Sequence, residues 1–277
     1  MAKKRKIIYI AGSGRSGSTI LSLLLSQHRA TQNVGQIRDL FLANKAGEYC
    51  SCGARLHECD FWRPVLREFP EEVASGVRLS KCRVAAVSAV YGAAFRSSGK
   101  NVLIDSSKSV DLCETLVSAG GLQVFVLNLI RDPRAVAVSW SHVLREPMVL
   151  RKRCRNWVHR QRRIEALGQR SDLPFYQLRY EVFSRDPMRY VTEIQRWADL
   201  DVDLSMFSGQ DVARIDWRRQ HLFPPANRGV LSRREDPVRI TPATTWQSGE
   251  FKSVRRMAEE LCFPVAERYS YEGERRT

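Results

Sequence analysis

No apolar run in this chain is long enough to span a bilayer. The longest, Ile20–Leu25 and Val84–Phe95, fall short of the roughly 20 residues that a spanning helix needs. The basic start Lys3-Lys4-Arg5-Lys6 leads into only Ile7-Ile8-Tyr9-Ile10 before Gly12-Ser13-Gly14-Arg15, so the apolar core of a secretion signal is missing. Cysteine is sparse: seven residues in 277, odd in number and unevenly spaced, which fits reduced thiols better than a disulfide framework. Together these absences predict a cytoplasmic protein. Repeats and low-complexity segments are also lacking. With 43% hydrophobic and 27% charged residues, the composition excludes a disordered or fibrous chain. Acidic residues are in short supply, 30 against 45 Lys+Arg, for a net charge of +15. That excess predicts an anionic partner: nucleic acid, membrane surface, nucleotide or acidic substrate.

Strand-like and helix-like segments alternate. Ile7–Ala11, Asn101–Asp105, Leu122–Ile130 and Phe175–Arg179 are short β-like runs. Helices are predicted over 18–28, 80–96, 109–119, from Pro133, and over 151–167, 187–200 and 252–268. This order predicts βαβ units, a mostly parallel sheet and one α/β domain over residues 1–277. The irregular stretches 44–64 and 203–250 are expected to be loops around a site; the second is long for a structureless connection.

Between the first strand and first helix lies Gly12-Ser13-Gly14-Arg15-Ser16-Gly17-Ser18-Thr19. Small residues there let backbone N–H groups and a helix N-terminus approach an anion, with hydroxyls as further donors. A phosphate loop of the Walker type would end in Gly-Lys-Ser/Thr, and this one does not. Asp105 is the one candidate for a metal-holding acid at a strand end. The loop therefore suits a phosphate or sulfate handled without a metal. A second strand–turn–helix unit, Leu127 to Trp140, places Arg131 at a strand's carboxyl end, where open α/β sheets bind ligands, and Ser139 two turns into the helix. Arg131 either holds a second phosphate with Ser139 or pairs with an acid such as Asp132.

The two units together resemble the sulfotransferases that use 3′-phosphoadenosine 5′-phosphosulfate, in their bacterial branch related to protein-tyrosine and carbohydrate enzymes. Gly14-Arg15-Ser16-Gly17-Ser18-Thr19 is similar to that family's 5′-phosphosulfate loop, and Arg131 with Ser139 to its 3′-phosphate element. Leu178-Arg179-Tyr180-Glu181-Val182-Phe183 followed by Asp186-Pro187 resembles a third family segment. Trp246 and the closing Arg268-Tyr269-Ser270-Tyr271 resemble a fourth. The resemblance implies a P-loop-like three-layer sandwich. It also implies metal-independent transfer of a sulfuryl group from that nucleotide to a hydroxyl or amine of a carbohydrate, lipid or small molecule. Arg15 and Lys108 would then stabilise the leaving phosphate, and Asn227 and Arg228 would close the nucleotide site from a late loop. A P-loop kinase and a nucleotide- or nucleic-acid-binding protein without catalysis are the alternatives.

An acceptor hydroxyl needs a base. Family members often carry Gly-Glu after the first helix; Gln36 stands there instead. Asp105 is the first substitute and Asp39 the second. Cys50-Ser51-Cys52-Gly53 with His57-Glu58-Cys59 has residue types that bind zinc, though the Cys-x-Cys spacing is unusual and His57 would have to join. Reduced thiols in an acceptor-side loop, with no metal, are the expectation. The basic residues of 151–163 occupy several helix faces rather than one stripe, which argues against stable nucleic-acid binding. An acidic acceptor would account for more of the charge.

Overall fold

A computed structural model describes residues 4–41, 48–68, 84–144, 146–223, 234 and 236–271. Its centre is a five-stranded, wholly parallel sheet in the order β2-β3-β1-β4-β5. The strands are β1 (Lys6–Gly12), β2 (Thr31–Gly35), β3 (Val102–Asp105), β4 (Gln123–Ile130) and β5 (Phe175–Arg179). Both faces are covered, so β1 to β4 bury nearly every residue, as parallel sheets do, while the edge strand β5 buries only Leu178. Side chains still alternate. Ile7, Tyr9 and Ala11 enter one core with α3 (Val84–Ser98), α4 (Val110–Ala119) and the end of the long helix Pro147–Gly168. Ile8 and Ile10 enter the other, with α1 (Ser18–Leu25) and the helix Pro187–Trp197. The result is the expected three-layer α/β sandwich.

The remaining helices are α2 (Trp62–Leu66), α5 (Pro133–Ser141), α6 (Pro147–Gly168), α7 (Tyr180–Phe183), α8 (Pro187–Trp197) and α9 (Lys252–Ala266). A third core joins α5, α6 and α9 through Val136, Ala137, Leu150, Trp157, Cys262 and Val265. Four strands and most helices match the sequence reading within a few residues. β2 does not, because Thr31-Gln32-Asn33 is too polar to read as a buried strand. Asn33 is wholly buried. Its amide donates to Ser22 Oγ at 3.0 Å, and its Oδ1 accepts from the Gly35 N–H at 2.9 Å. The stretch 203–250 also holds more structure than expected, including a two-stranded antiparallel pair, β6 (Val212–Ala213) and β7 (Val238–Arg239).

In this strand order the chain leaves β1 toward β2 on one side and leaves β4 toward β5 on the other. The carboxyl ends of β1 and β4 therefore flank the switch point, the place where such sheets bind ligands.

Candidate anion-binding active site

The Gly12–Thr19 turn runs from β1 into α1 over that switch point. Gly17 is the N-cap of α1 at φ +89°, and a Cβ there would lie 2.3 Å from the Tyr180 ring. Only glycine fits both the backbone and the space. Ser13 and Ser16 are buried, and their hydroxyls have no partner among the described residues. Buried hydroxyls are nearly always hydrogen-bonded, so two orphans in one loop mark places for ligand atoms.

Arginines converge on this loop. Arg131 donates to the Arg15 carbonyl at 2.9 Å and lies over the Tyr180 ring at 4.7 Å. It does not pair with Asp132, which instead caps α5 and binds Arg134 at 2.7 Å. Arg15 and Arg153 lie 4.9 and 4.6 Å from the Trp140 ring centre. Arg160 donates to the Gly12 carbonyl at 3.3 Å. Ser13, Gly14, Trp140, Arg153, Trp157 and Arg160 line one cleft. Among the described residues, none of Arg15, Arg131, Arg153 and Arg160 has a carboxylate partner. Burial lowers the pKa of Arg15, and burial with the nearby Arg38 charge lowers that of Arg160. Crowded cations without acids are costly unless an anion joins them.

Arg153 and Arg160 were not legible as site residues. They belong to the basic helix α6, whose charges cover several faces, yet their spacing of seven sets both on the face toward the loop. Ser139 is half-buried in the second turn of α5, on the unit that begins at Arg131. Glu181 ties this unit to the chain's later parts. It accepts from the Asp132 N–H at 2.9 Å and from the Tyr271 hydroxyl at 2.7 Å. Asn227 and Arg228 lie outside the described residues.

Lys108 follows β3 at φ +57° and reaches across to α1, where its Nζ donates to Ser18 Oγ at 3.2 Å. Burial pushes its amine down to about 7. Asp105 has no exposed surface. One oxygen accepts from the Ser107 N–H at 2.6 Å and the other from the Tyr91 hydroxyl. Burial raises its carboxyl to about 6. Asp39 lies in the short 3-10 helix Ile37–Phe41, whose Arg38 N–H donates to Ser107 Oγ at 3.0 Å. Its Oδ1 takes both donors of Arg38, at 3.1 and 2.8 Å; no other described residue holds Oδ2. Asp39 and Arg38 both act electrostatically on Lys108.

The Lys108 shift has a measurable consequence. Unfolded, the amine titrates near 10.5; folded, near 7. Between those values the unfolded chain binds more protons, so stability of the free protein should rise with pH across that window. Asp105 works in the opposite sense: its folded value of about 6 exceeds 3.8, so its ionisation lowers stability as pH climbs between them. An anion on the loop would favour protonated Lys108. Thermal melts are expected to show a ligand-induced gain that shrinks above about pH 7, and Lys108→Met should flatten that trend.

No family model matches the sequence, and no curated protein matches it either. Solved structures do. The sulfotransferase domain of the Synechococcus PCC 7002 olefin synthase superposes with a TM-score of 0.61 at 20% identity, covering 98% of this chain and 97% of that one. This chain has the sulfotransferase fold. The sulfotransferase domain of the curacin biosynthetic pathway gives 0.56 at 15% identity over 99% and 100% of the two chains. A sulfotransferase from Mycobacterium tuberculosis H37Rv gives 0.51 at 13% identity over 94% and 78%. Within the sulfotransferase fold, the loop with the two orphan hydroxyls stands at the switch point of the sheet.

Proposed function

We propose that the protein is an enzyme that moves a sulfuryl group from 3′-phosphoadenosine 5′-phosphosulfate to a hydroxyl or amine. The observation that carries this reading is a set of four arginines around a loop with two buried hydroxyls; among the described residues the arginines have no acid partner and the hydroxyls no hydrogen-bond partner. Gly14 to Thr19 hold the 5′-phosphosulfate through backbone N–H groups and the hydroxyls of Ser16, Ser18 and Thr19. Arg131 and Ser139 hold the 3′-phosphate. Arg153 and Arg160 add positive charge from α6.

The acceptor oxygen bonds to sulfur as the bond from sulfur to the 5′-phosphate oxygen breaks. Arg15 and Lys108 receive the charge that builds on that departing oxygen. Asp39 takes the acceptor's proton. Asp105 is too enclosed for that task. With both oxygens occupied, it positions Ser107 and Lys108 instead. No metal enters these steps, since a sulfuryl group carries less charge than a phosphoryl group. The acceptor is an uncharged or acidic carbohydrate, lipid or small molecule, and the protein acts in the cytoplasm.

Titration calorimetry against adenosine 3′,5′-bisphosphate and against ATP·Mg²⁺ tests the reading. The bisphosphate is expected to bind without added metal, and Arg131→Ala to weaken it about 10²-fold, the loss of one or two hydrogen bonds to a charged group. Preference for ATP·Mg²⁺ would favour a phosphotransferase, and no binding of the bisphosphate would end the proposal.

A further inference from the structure

The cysteine-rich segment converges with a residue far away in sequence. Tyr49 to Arg55 form a narrow hairpin, with the Cys50 N–H donating to the Ala54 carbonyl at 2.9 Å and the Gly53 N–H to the Cys50 carbonyl at 3.0 Å. Cys59 comes one turn before α2, its carbonyl accepting from the Arg63 N–H at 2.8 Å. His221 arrives from the opposite end of the chain. The sulfurs of Cys50, Cys52 and Cys59 and one ring nitrogen of His221 all lie within 4.8 Å of one another. Cys52 Sγ is 3.7 Å from Cys59 Sγ, and His221 Nδ1 is 3.3 Å from Cys59 Sγ and 3.9 Å from Cys50 Sγ.

Those separations match a tetrahedron. Zn–S bonds of about 2.3 Å and a Zn–N bond of about 2.0–2.1 Å set S···S near 3.8 Å and S···N near 3.6 Å. Disulfide bonding requires about 2.05 Å and would consume two of the sulfurs. His57 is not part of the cluster. It is half exposed and 3.5 Å from Glu58, so the sequence-based choice of histidine is corrected to His221. The ring of His221 is fixed: it stacks on Phe61 with centroids 5.4 Å apart, and its carbonyl accepts from the buried Trp62 indole at 2.8 Å. Three thiolates, one imidazole and no open position are the donor set of a structural zinc centre.

We propose that Cys50, Cys52, Cys59 and His221 bind one structural Zn²⁺. The ion replaces the thiol protons of the three cysteines, and those protons leave to solvent. It joins the 48–62 segment to residues 220–223. That second strip also receives the Ser51 N–H at the Leu222 carbonyl and the Gln36 N–H at the Phe223 carbonyl, at 3.0 and 2.7 Å. Gly35 in turn accepts from the Ser106 N–H at 2.7 Å, so the centre buttresses the turn that carries Lys108. This role is independent of the donor chemistry proposed above.

The test uses the full-length chain, expressed with zinc present and purified without a metal-affinity step. Elemental analysis is expected to find one zinc per chain. His57→Ala and Cys113→Ser should keep it, whereas Cys59→Ser and His221→Ala should lose it. Should those two variants fail to fold, the wild-type chain exchanged with Co²⁺ decides the matter. Tetrahedral thiolate cobalt gives an intense visible d–d band with sulfur-to-cobalt charge transfer, and Zn²⁺ should bleach both. A chain that folds and holds no zinc, a Cys52–Cys59 disulfide, or loss of zinc in His57→Ala would overturn the proposal.

Discussion

Asp39→Asn is expected to lower kcat by about 10²–10⁴-fold, the usual contribution of a positioned general base, and to leave affinity for adenosine 3′,5′-bisphosphate unchanged. Asparagine keeps the shape and can still accept from Arg38, so the loop 36–41 stays in place. What disappears is the carboxylate charge that acts on Lys108, with the Oδ2 that has no partner among the described residues. Asp105→Asn is the matched comparison. The amide oxygen of that variant still accepts from the Ser107 N–H, so kcat should fall far less. The stability change between about pH 4 and pH 6, due to ionisation of Asp105, should vanish from melting curves. The reverse ranking of the two variants in kcat would move the base to Asp105.

Lys108→Ala is expected to cost about 10²–10³-fold in kcat, the typical loss on removing one preorganised donor from a developing negative charge. Lys108 is buried and held by Ser18 and the Ser106 carbonyl, so little reorganisation is needed when the charge arrives. Donor affinity should fall much less than kcat, because the four arginines remain. An equal loss in both would mean that Lys108 binds the donor uniformly instead of favouring the transition state. Truncation also removes an amine that burial already disfavours, so Lys108→Ala should melt no lower than wild type near neutral pH.

The sequence showed what local chemistry encodes. Gly12–Thr19 and Arg131 were visible because each belongs to a strand–turn–helix unit that sets it at the carboxyl end of a strand. Arg153 and Arg160 were hidden because a helix with charges on several faces gives no hint of which face meets the sheet. His221 was hidden by distance: 162 residues separate it from Cys59. β2 was missed since its polar residues are satisfied by Ser22 and a neighbouring backbone, contacts that exist only after folding. Tyr180 was legible as part of a motif but not as the surface beneath Arg131.

The Gly17–Tyr180 contact has a bearing on how the site evolves. Any side chain at position 17 must first evict the ring, and evicting the ring strips Arg131 of the surface it lies on. A side chain at position 17 therefore has to wait for a smaller residue at position 180. Glycine, aromatic and arginine are energetically coupled, so a side chain at position 17 is expected to cost more than its own backbone strain.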